Sequence, residues 1–144
     1  GQLGNNSTAD SLIPVQVLGG ATGNQYLTNV VQVAAGGTFD GGNRYYALAL
    51  RENGTVWAWG YNAHGELGIG TAGGDHDHPE QVLRKENQSD PDSNNVPLTN
   101  IVKIAVGAYH NLALTADGQV YAWGWGIYGS LGDGDTQIIV RLSL

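Results

Sequence analysis

Cysteine is absent from this sequence, which excludes a disulfide framework and any thiolate metal or redox centre. Charge is scarce: Asp, Glu, Lys and Arg together supply 13% of the residues, about half the usual quarter. Basic charge is the scarcest, with 6 Lys and Arg against 13 Asp and Glu and a net charge of -7. With no broad basic surface to neutralise phosphates or anionic headgroups, neither a nucleic-acid partner nor attraction to an anionic membrane is expected. No apolar run approaches the roughly 18 residues of a membrane span, so membrane insertion is not expected either. No basic-then-apolar signal segment opens the chain. The first residue is Gly1 rather than Met, which reads as a processed chain or a piece of something longer. Against these scarcities stand 23 glycines in 144 residues, roughly twice the usual share. Such a chain is built from turns, and its length suits one domain.

The chain also repeats itself. Gly1-Gln2-Leu3-Gly4 returns as Gly65-Glu66-Leu67-Gly68 and again as Gly129-Ser130-Leu131-Gly132, 64 residues apart each time. Leu48 to Gly60, read as LALRENGTVWAWG, returns at the same offset as Leu112 to Gly124, read as LALTADGQVYAWG. A third match, Asn29 to Gly36 with Asn100 to Gly107, is shifted by 71. Two offsetting insertions account for the difference, one in Thr38 to Tyr45 and one in Arg84 to Val96. Residues 1–64 and 65–128 are thus two copies, and 129–144 begin a third. A fixed period of this kind marks a repeat architecture, with insertions placed in loops.

Each copy carries short strand patterns. Val30 to Val33, Tyr46 to Leu50 and Thr55 to Trp59 are rich in β-branched and aromatic residues or alternate at period two. Asn53-Gly54 and Asp117-Gly118 between strands are the dipeptides of type I′ hairpin turns. A further strand around Val15 to Leu18, matched by Gln81 to Arg84, brings the count to about four per copy. The fold class expected is all-β, with two four-stranded β-propeller blades and an extra C-terminal strand; a solenoid is the alternative.

The same residues resemble the regulator of chromosome condensation repeat family. Its repeats carry an alanine-and-leucine strand, a turn ending in Gly, a V-x-A-W-G strand and then N-x-x-G-x-L-G. The resemblance runs through Tyr46 to Gly68, with Asn62 in place, and through His110 to Gly132. In the second copy Gly126-Ile127-Tyr128 lacks the family's Asn, and the first copy has Arg44-Tyr45 where the second has His110. The resemblance implies a β-propeller, usually of seven blades, that acts by binding proteins. Some members exchange guanine nucleotides on a small GTPase, some inhibit β-lactamases and one group senses ultraviolet-B light. The photoreceptors' Gly-Trp-Arg-His-Thr pattern does not occur here, so Trp57, Trp59, Trp123 and Trp125 are expected to pack blades.

Two copies fall short of the roughly 4 to 8 blades that close a propeller. The expectation is head-to-tail self-assembly into a ring or filament, by β-strand addition between copies. Ile138, Ile139, Val140 and Leu142 of the final strand would pair beside Val15 and Val17 of the next chain. The alternative is a fragment of a longer propeller, gripping a partner protein through loops that carry Phe39, Arg44, Asp90 and Asp92. A weaker alternative, on the resemblance alone, is exchange of guanine nucleotides on a small GTPase. Low charge, no cysteine and abundant Gly and Asn suit an extracellular or cell-surface protein.

Catalytic chemistry and cofactors are not expected, because the sequence offers no nucleophile, base and orienting group at a recognisable spacing. The one weak metal candidate is Asp75-His76-Asp77-His78, where His76 and His78 would point the same way in an extended segment. It lacks a third spaced ligand, and Gly73-Gly74 before it suggests a solvated loop. His110 is expected in a structural hydrogen-bonding role, and His64 carries no partner visible in sequence.

Overall fold

The computed structural model describes residues 1–20, 25–39, 41–86 and 93–132, and the backbone of 139–143. Four antiparallel strands make the first blade: β1 (Val30–Thr38), β2 (Arg44–Arg51), β3 (Val56–Tyr61) and β4 (Asp75–Gln81), adjacent in that order. A two-stranded ribbon follows, β5 (Leu83–Lys85) on β6 (Asn95–Pro97). The second blade is β7 (Ile101–Val106), β8 (His110–Thr115), β9 (Val120–Gly124) and β10 (Ile139–Ser143), again adjacent in order. The all-β, four-stranded blade architecture expected from the repeats is present. Each blade takes its outermost strand from beyond the G-x-L-G that opens the next sequence copy.

Local chemistry explains the matched details. Both first strands carry a register shift, between Val30 and Gln32 and between Ile101 and Lys103. Each is preceded by an Asn with positive φ, Asn29 at 56° and Asn100 at 64°, a residue type that tolerates the left-handed region. Their carbonyls accept from the opposing hairpins, Glu52 N at 2.8 Å and Ala116 N at 3.0 Å.

The hairpins form where Asn53-Gly54 and Asp117-Gly118 place them, but the turns are not type I′. Only the glycines have positive φ, 76° at Gly54 and 88° at Gly118. Gly54 N donates to Arg51 O at 2.9 Å, and Arg51 N donates to Thr55 O at 2.9 Å. The loop therefore has three residues, a type I turn closed by a left-handed glycine. Asn53 Oδ1 accepts from the Thr55 N at 3.2 Å and the Thr55 Oγ1 at 2.7 Å, which ties the side chain to the turn.

Other expectations are corrected. Val15 to Leu18 is not a strand: it makes a single bridge, Leu18 to Tyr26. Its backbone is committed instead to Gly4 O, which accepts from Leu18 N at 2.9 Å, and to Leu27, whose N donates to Val17 O at 2.9 Å. Val15 is exposed. Gln81 to Arg84 is not one strand either. It breaks at buried Val82, whose N donates to Val56 O and whose O accepts from Leu98 N, both at 2.9 Å. Asp75 to His78 is not a loop but the start of β4, an edge strand, where polar side chains and Pro79 are tolerated. The Thr38 to Tyr45 insertion lengthens β1 and β2 instead of forming a long loop, so Arg44 lies in a strand.

Ile139, Val140 and Leu142 lie in β10, which pairs with β9 of its own chain through Ile139 with Gly124 and Ser143 with Ala122. One edge of the final strand is therefore used within the chain. Ile138, Asp90 and Asp92 lie outside the described residues.

The core sits between the blades. Tyr46, Leu48, Leu50, Val56 and Ala58 of the first blade meet Ile101, Ile104, Ala113, Tyr121 and Trp123 of the second, with Leu67, Ile69, Val82 and Leu98 from the connections. Each fully buried Leu or Val contributes on the order of 1.5–3 kcal/mol. Polar groups pin the seam. Gln32 Nε2 donates to Ile104 O at 2.7 Å while Gln32 Oε1 accepts from Ile104 N at 3.0 Å. The Tyr46 hydroxyl is within reach of Gly107 O at 3.2 Å and His110 O at 3.3 Å, and Ile101 N donates to Gly54 O at 3.1 Å.

Candidate protein-binding end of the blades

The pairings Tyr46 with Gly60 and His110 with Gly124 bring the start of β2 to the end of β3 and the start of β8 to the end of β9, and the contacts of Arg44 and His64 with Tyr109 put both at the same end of the two blades. The repeat therefore gathers Tyr61, His64, Tyr109 and Trp125 at this end. His64 stacks on Trp125 with ring centroids 4.2 Å apart and planes 14° from parallel. Tyr109 meets Trp125 edge to face at 4.9 Å and His64 at 6.1 Å, and Tyr61 meets His64 at 6.3 Å. Arg44 stands over the Tyr61 ring at 5.9 Å and donates from Nη1 to the Tyr109 hydroxyl at 3.3 Å. Such stacked and cation–π contacts hold half-buried aromatic rings in fixed positions.

The turn carrying His64 is built around Asn62. This buried side chain donates to Thr71 O at 3.1 Å and accepts from Leu67 N at 3.0 Å. Its backbone carbonyl accepts from Gly73 N at 2.7 Å. Beneath lies Glu66, fully buried, with Oε2 accepting from His64 N at 2.8 Å and Oε1 without a hydrogen-bond partner among the described residues. Desolvation by burial pushes its carboxyl above the usual range, opposed by hydrogen bonds from backbone and by the charges of His64 and Arg44. Burial likewise pushes the Tyr46 hydroxyl up, with Glu66 adding to the effect. The Glu66 carbonyl belongs to the packing between blades: it accepts from Asn111 Nδ2 at 2.7 Å and Trp123 Nε1 at 3.0 Å.

Of the residues singled out from sequence, Phe39 and Arg44 fall at this end, Phe39 exposed and Arg44 half-buried. His76 and His78 do point the same way: both approach Glu80, His76 through a contact from Nδ1 to Oε1 and His78 through Nε2 at 3.9 Å. His78 Nδ1 is also 2.8 Å from Asp77 Oδ1. Among the described residues no group of three or more His, Cys, Asp or Glu is arranged to hold a metal ion. His110 packs against Gly107, whose added Cβ would stand 2.8 Å from its ring. Sequence reasoning left His64 and Glu66 without roles. The signal that could have found the cluster is the offset of 64, which aligns Tyr45 with Tyr109, Tyr61 with Trp125 and His64 with Tyr128.

Comparison with known proteins agrees with this architecture. Family models described as "Regulator of chromosome condensation (RCC1) repeat" match residues 1–39 and 53–114, and residues 30–66 and 101–130. The chain is 32% identical over 137 residues to the ultraviolet-B receptor UVR8 of Arabidopsis thaliana, covering 94% of this chain and 25% of that protein. It is 36% identical over 134 residues to the human E3 ubiquitin-protein ligase HERC2, covering 93% of this chain and 2% of that protein. Among solved structures, human WBSCR16 superposes with a TM-score of 0.57 at 25% identity, over 78% of this chain and 25% of that one. Yeast RCC1 (Prp20) bound to Kap60 superposes with a TM-score of 0.54 at 21% identity, over 81% of this chain and 25% of that one. The chain thus spans a quarter or less of each of these proteins. The two blades, their repeated turns and the matched models together show that this chain belongs to the regulator of chromosome condensation repeat family.

Proposed function

We propose that the chain is a protein-binding propeller module, with no reaction of its own. The observation that carries this reading is the end of the blades where Phe39 and Tyr45 stand exposed beside Arg44, Tyr61, His64, Tyr109 and Trp125. Aromatic residues and Arg dominate the energetics of protein interfaces, and rings held in place by their neighbours lose little freedom on binding. The yeast relative solved in complex with Kap60 is a propeller of this family held to another protein, which supports the reading. Guanine nucleotide exchange rests on likeness to relatives alone. Assembly by donation of the final strand has less support, because β10 already lies on β9.

The test is affinity capture of partners by the intact chain from an extract of cells that make it, side by side with the double variant Phe39→Ala/Tyr45→Ala. Both side chains are exposed, so the variant should keep its melting temperature within about 1 °C and lose most of the captured protein. Equal capture by the folded variant would refute this end as the interface. Absence of any specifically captured protein would refute the module reading itself.

A further inference from the structure

Of the asparagines in the chain only Asn53 is followed by glycine. It sits at the tip of the hairpin between β2 and β3, exposed to solvent even with the second blade in place beside it. An asparagine ahead of glycine has a nucleophile within reach: the next backbone nitrogen can attack the side-chain carbonyl carbon, and glycine has no Cβ to shield that nitrogen. The turn holds the carbonyl still. Asn53 Oδ1 accepts from Thr55 N at 3.2 Å and from Thr55 Oγ1 at 2.7 Å, two donors placed where negative charge develops during the attack. One bond opposes it: Gly54 N donates to Arg51 O at 2.9 Å and must leave that acceptor before its proton is lost.

The surroundings of Gly54 set what a product does there. Gly54 is buried, and its carbonyl accepts from Ile101 N at 3.1 Å across the seam. Its Cβ position lies 3.1 Å from Asn100 N and 3.2 Å from Ile101 N, so this backbone has no room to shift toward the second blade. The equivalent turn of the second blade, Thr115 to Gln119, is built on Asp117. There Gly118 N donates to Thr115 O at 3.1 Å and Thr115 N donates to Gln119 O at 2.9 Å, the same two bonds that close the first turn. Aspartate therefore suits this turn. An extra main-chain atom does not, because the two bonds fix the span of the loop and Ile101 fixes its depth.

We propose that Asn53 is a self-modification site whose two products are told apart by the joint between the blades. The Gly54 nitrogen bonds to the Asn53 side-chain carbonyl carbon, the bond from that carbon to Nδ2 breaks, and the amide nitrogen leaves as ammonia with the proton given up by Gly54 N. Water then opens the resulting succinimide. If it breaks the newly formed bond, the product is aspartate, which adds a negative charge and keeps the turn. If it breaks the original main-chain bond, the product is isoaspartate, and the main chain now runs through the former side chain, longer by one carbon. Gly54 O is then carried off Ile101 N, the backbone donor of a residue only 3% exposed. The seam is loosened at the end of the blades opposite the aromatic cluster, since this hairpin joins the end of β2 to the start of β3.

Ageing the intact chain in mildly alkaline buffer tests this, with the urea-unfolded chain as the reference for complete reaction. Peptide mass spectrometry should locate loss of the amide at Asn53, and isoaspartyl methyltransferase should label a fraction of the aged chain. Thermal unfolding of the aged sample should resolve a population that melts about 4 °C or more below the rest, in proportion to the labelled fraction. Asn53→Asp should melt within about 1 °C of the unaltered chain. Asn53→Ser, aged in the same way, should show neither the label nor the low-melting population. Retention of the amide by the folded chain while the unfolded chain reacts would overturn the proposal. So would label that persists in Asn53→Ser, isoaspartate chains that melt with the unaltered protein, or an Asn53→Asp variant that melts as low as the labelled population.

Discussion

Gln32 is where one side chain most directly holds two blades together. Its amide donates to Ile104 O and accepts from Ile104 N at 2.7 and 3.0 Å. Gln32→Ala removes both hydrogen bonds and leaves two backbone groups at a half-buried seam. An unsatisfied buried group costs about 1–3 kcal/mol; partial access of water to this seam puts the pair at about 2–3 kcal/mol together. For a chain of this size that corresponds to a fall in Tm of roughly 6–12 °C. The control is the counterpart in the second blade, Lys103, which is exposed and meets no further blade among the described residues. Lys103→Ala should change stability by less than about 0.5 kcal/mol. Thermal unfolding followed by circular dichroism, with urea denaturation as a second measure, reads both variants. If Gln32→Ala and Lys103→Ala lose the same stability, the amide does not pin the seam, and the assignment of the core to the inter-blade space is wrong.

Glu66 sets a pH dependence. Its carboxyl is raised above 4.5 in the folded chain, so the stability associated with its protonated form is fully present below that value and is lost as pH rises through the folded pKa. Glu66→Gln should flatten this part of the stability curve and raise Tm at neutral pH; an unchanged pH profile between the two proteins would refute it. Gly68→Ala combines positive φ with a Cβ 2.7 Å from the Trp123 indole, and should cost about 2–3 kcal/mol. Gly118→Ala, also at positive φ but with nothing within 4 Å, should cost about 1 kcal/mol; urea midpoints separate the two.

Much of the blade was legible because it depends on near neighbours in sequence. The hairpins announce themselves through Asn53-Gly54 and Asp117-Gly118, and the repeat offset doubles each signal. The turn type is not legible, because sequence shows the dipeptide and not the length of the loop it closes: with three residues, Asn53 keeps ordinary φ and glycine alone turns left-handed. Asp75 to His78 reads as a loop in sequence because an edge strand needs neither alternation nor apolar side chains. Val15 to Leu18 looked like a strand because its apolar residues suit one, yet its hydrogen bonds go to Gly4 and Leu27. The aromatic cluster was illegible to local reading, since His64 meets Trp125 only when one copy is laid against the next.

The G-x-L-G turn gives the chain the path of a lacing thread. After β3 it leaves the first blade, rests its Glu66 carbonyl on Asn111 and Trp123 of the second, and returns to the first as β4 before departing again. A unit of 64 residues therefore carries its own stitch. Duplicating that unit adds a blade and fastens it in the same event, so the array can lengthen with no new joint to invent.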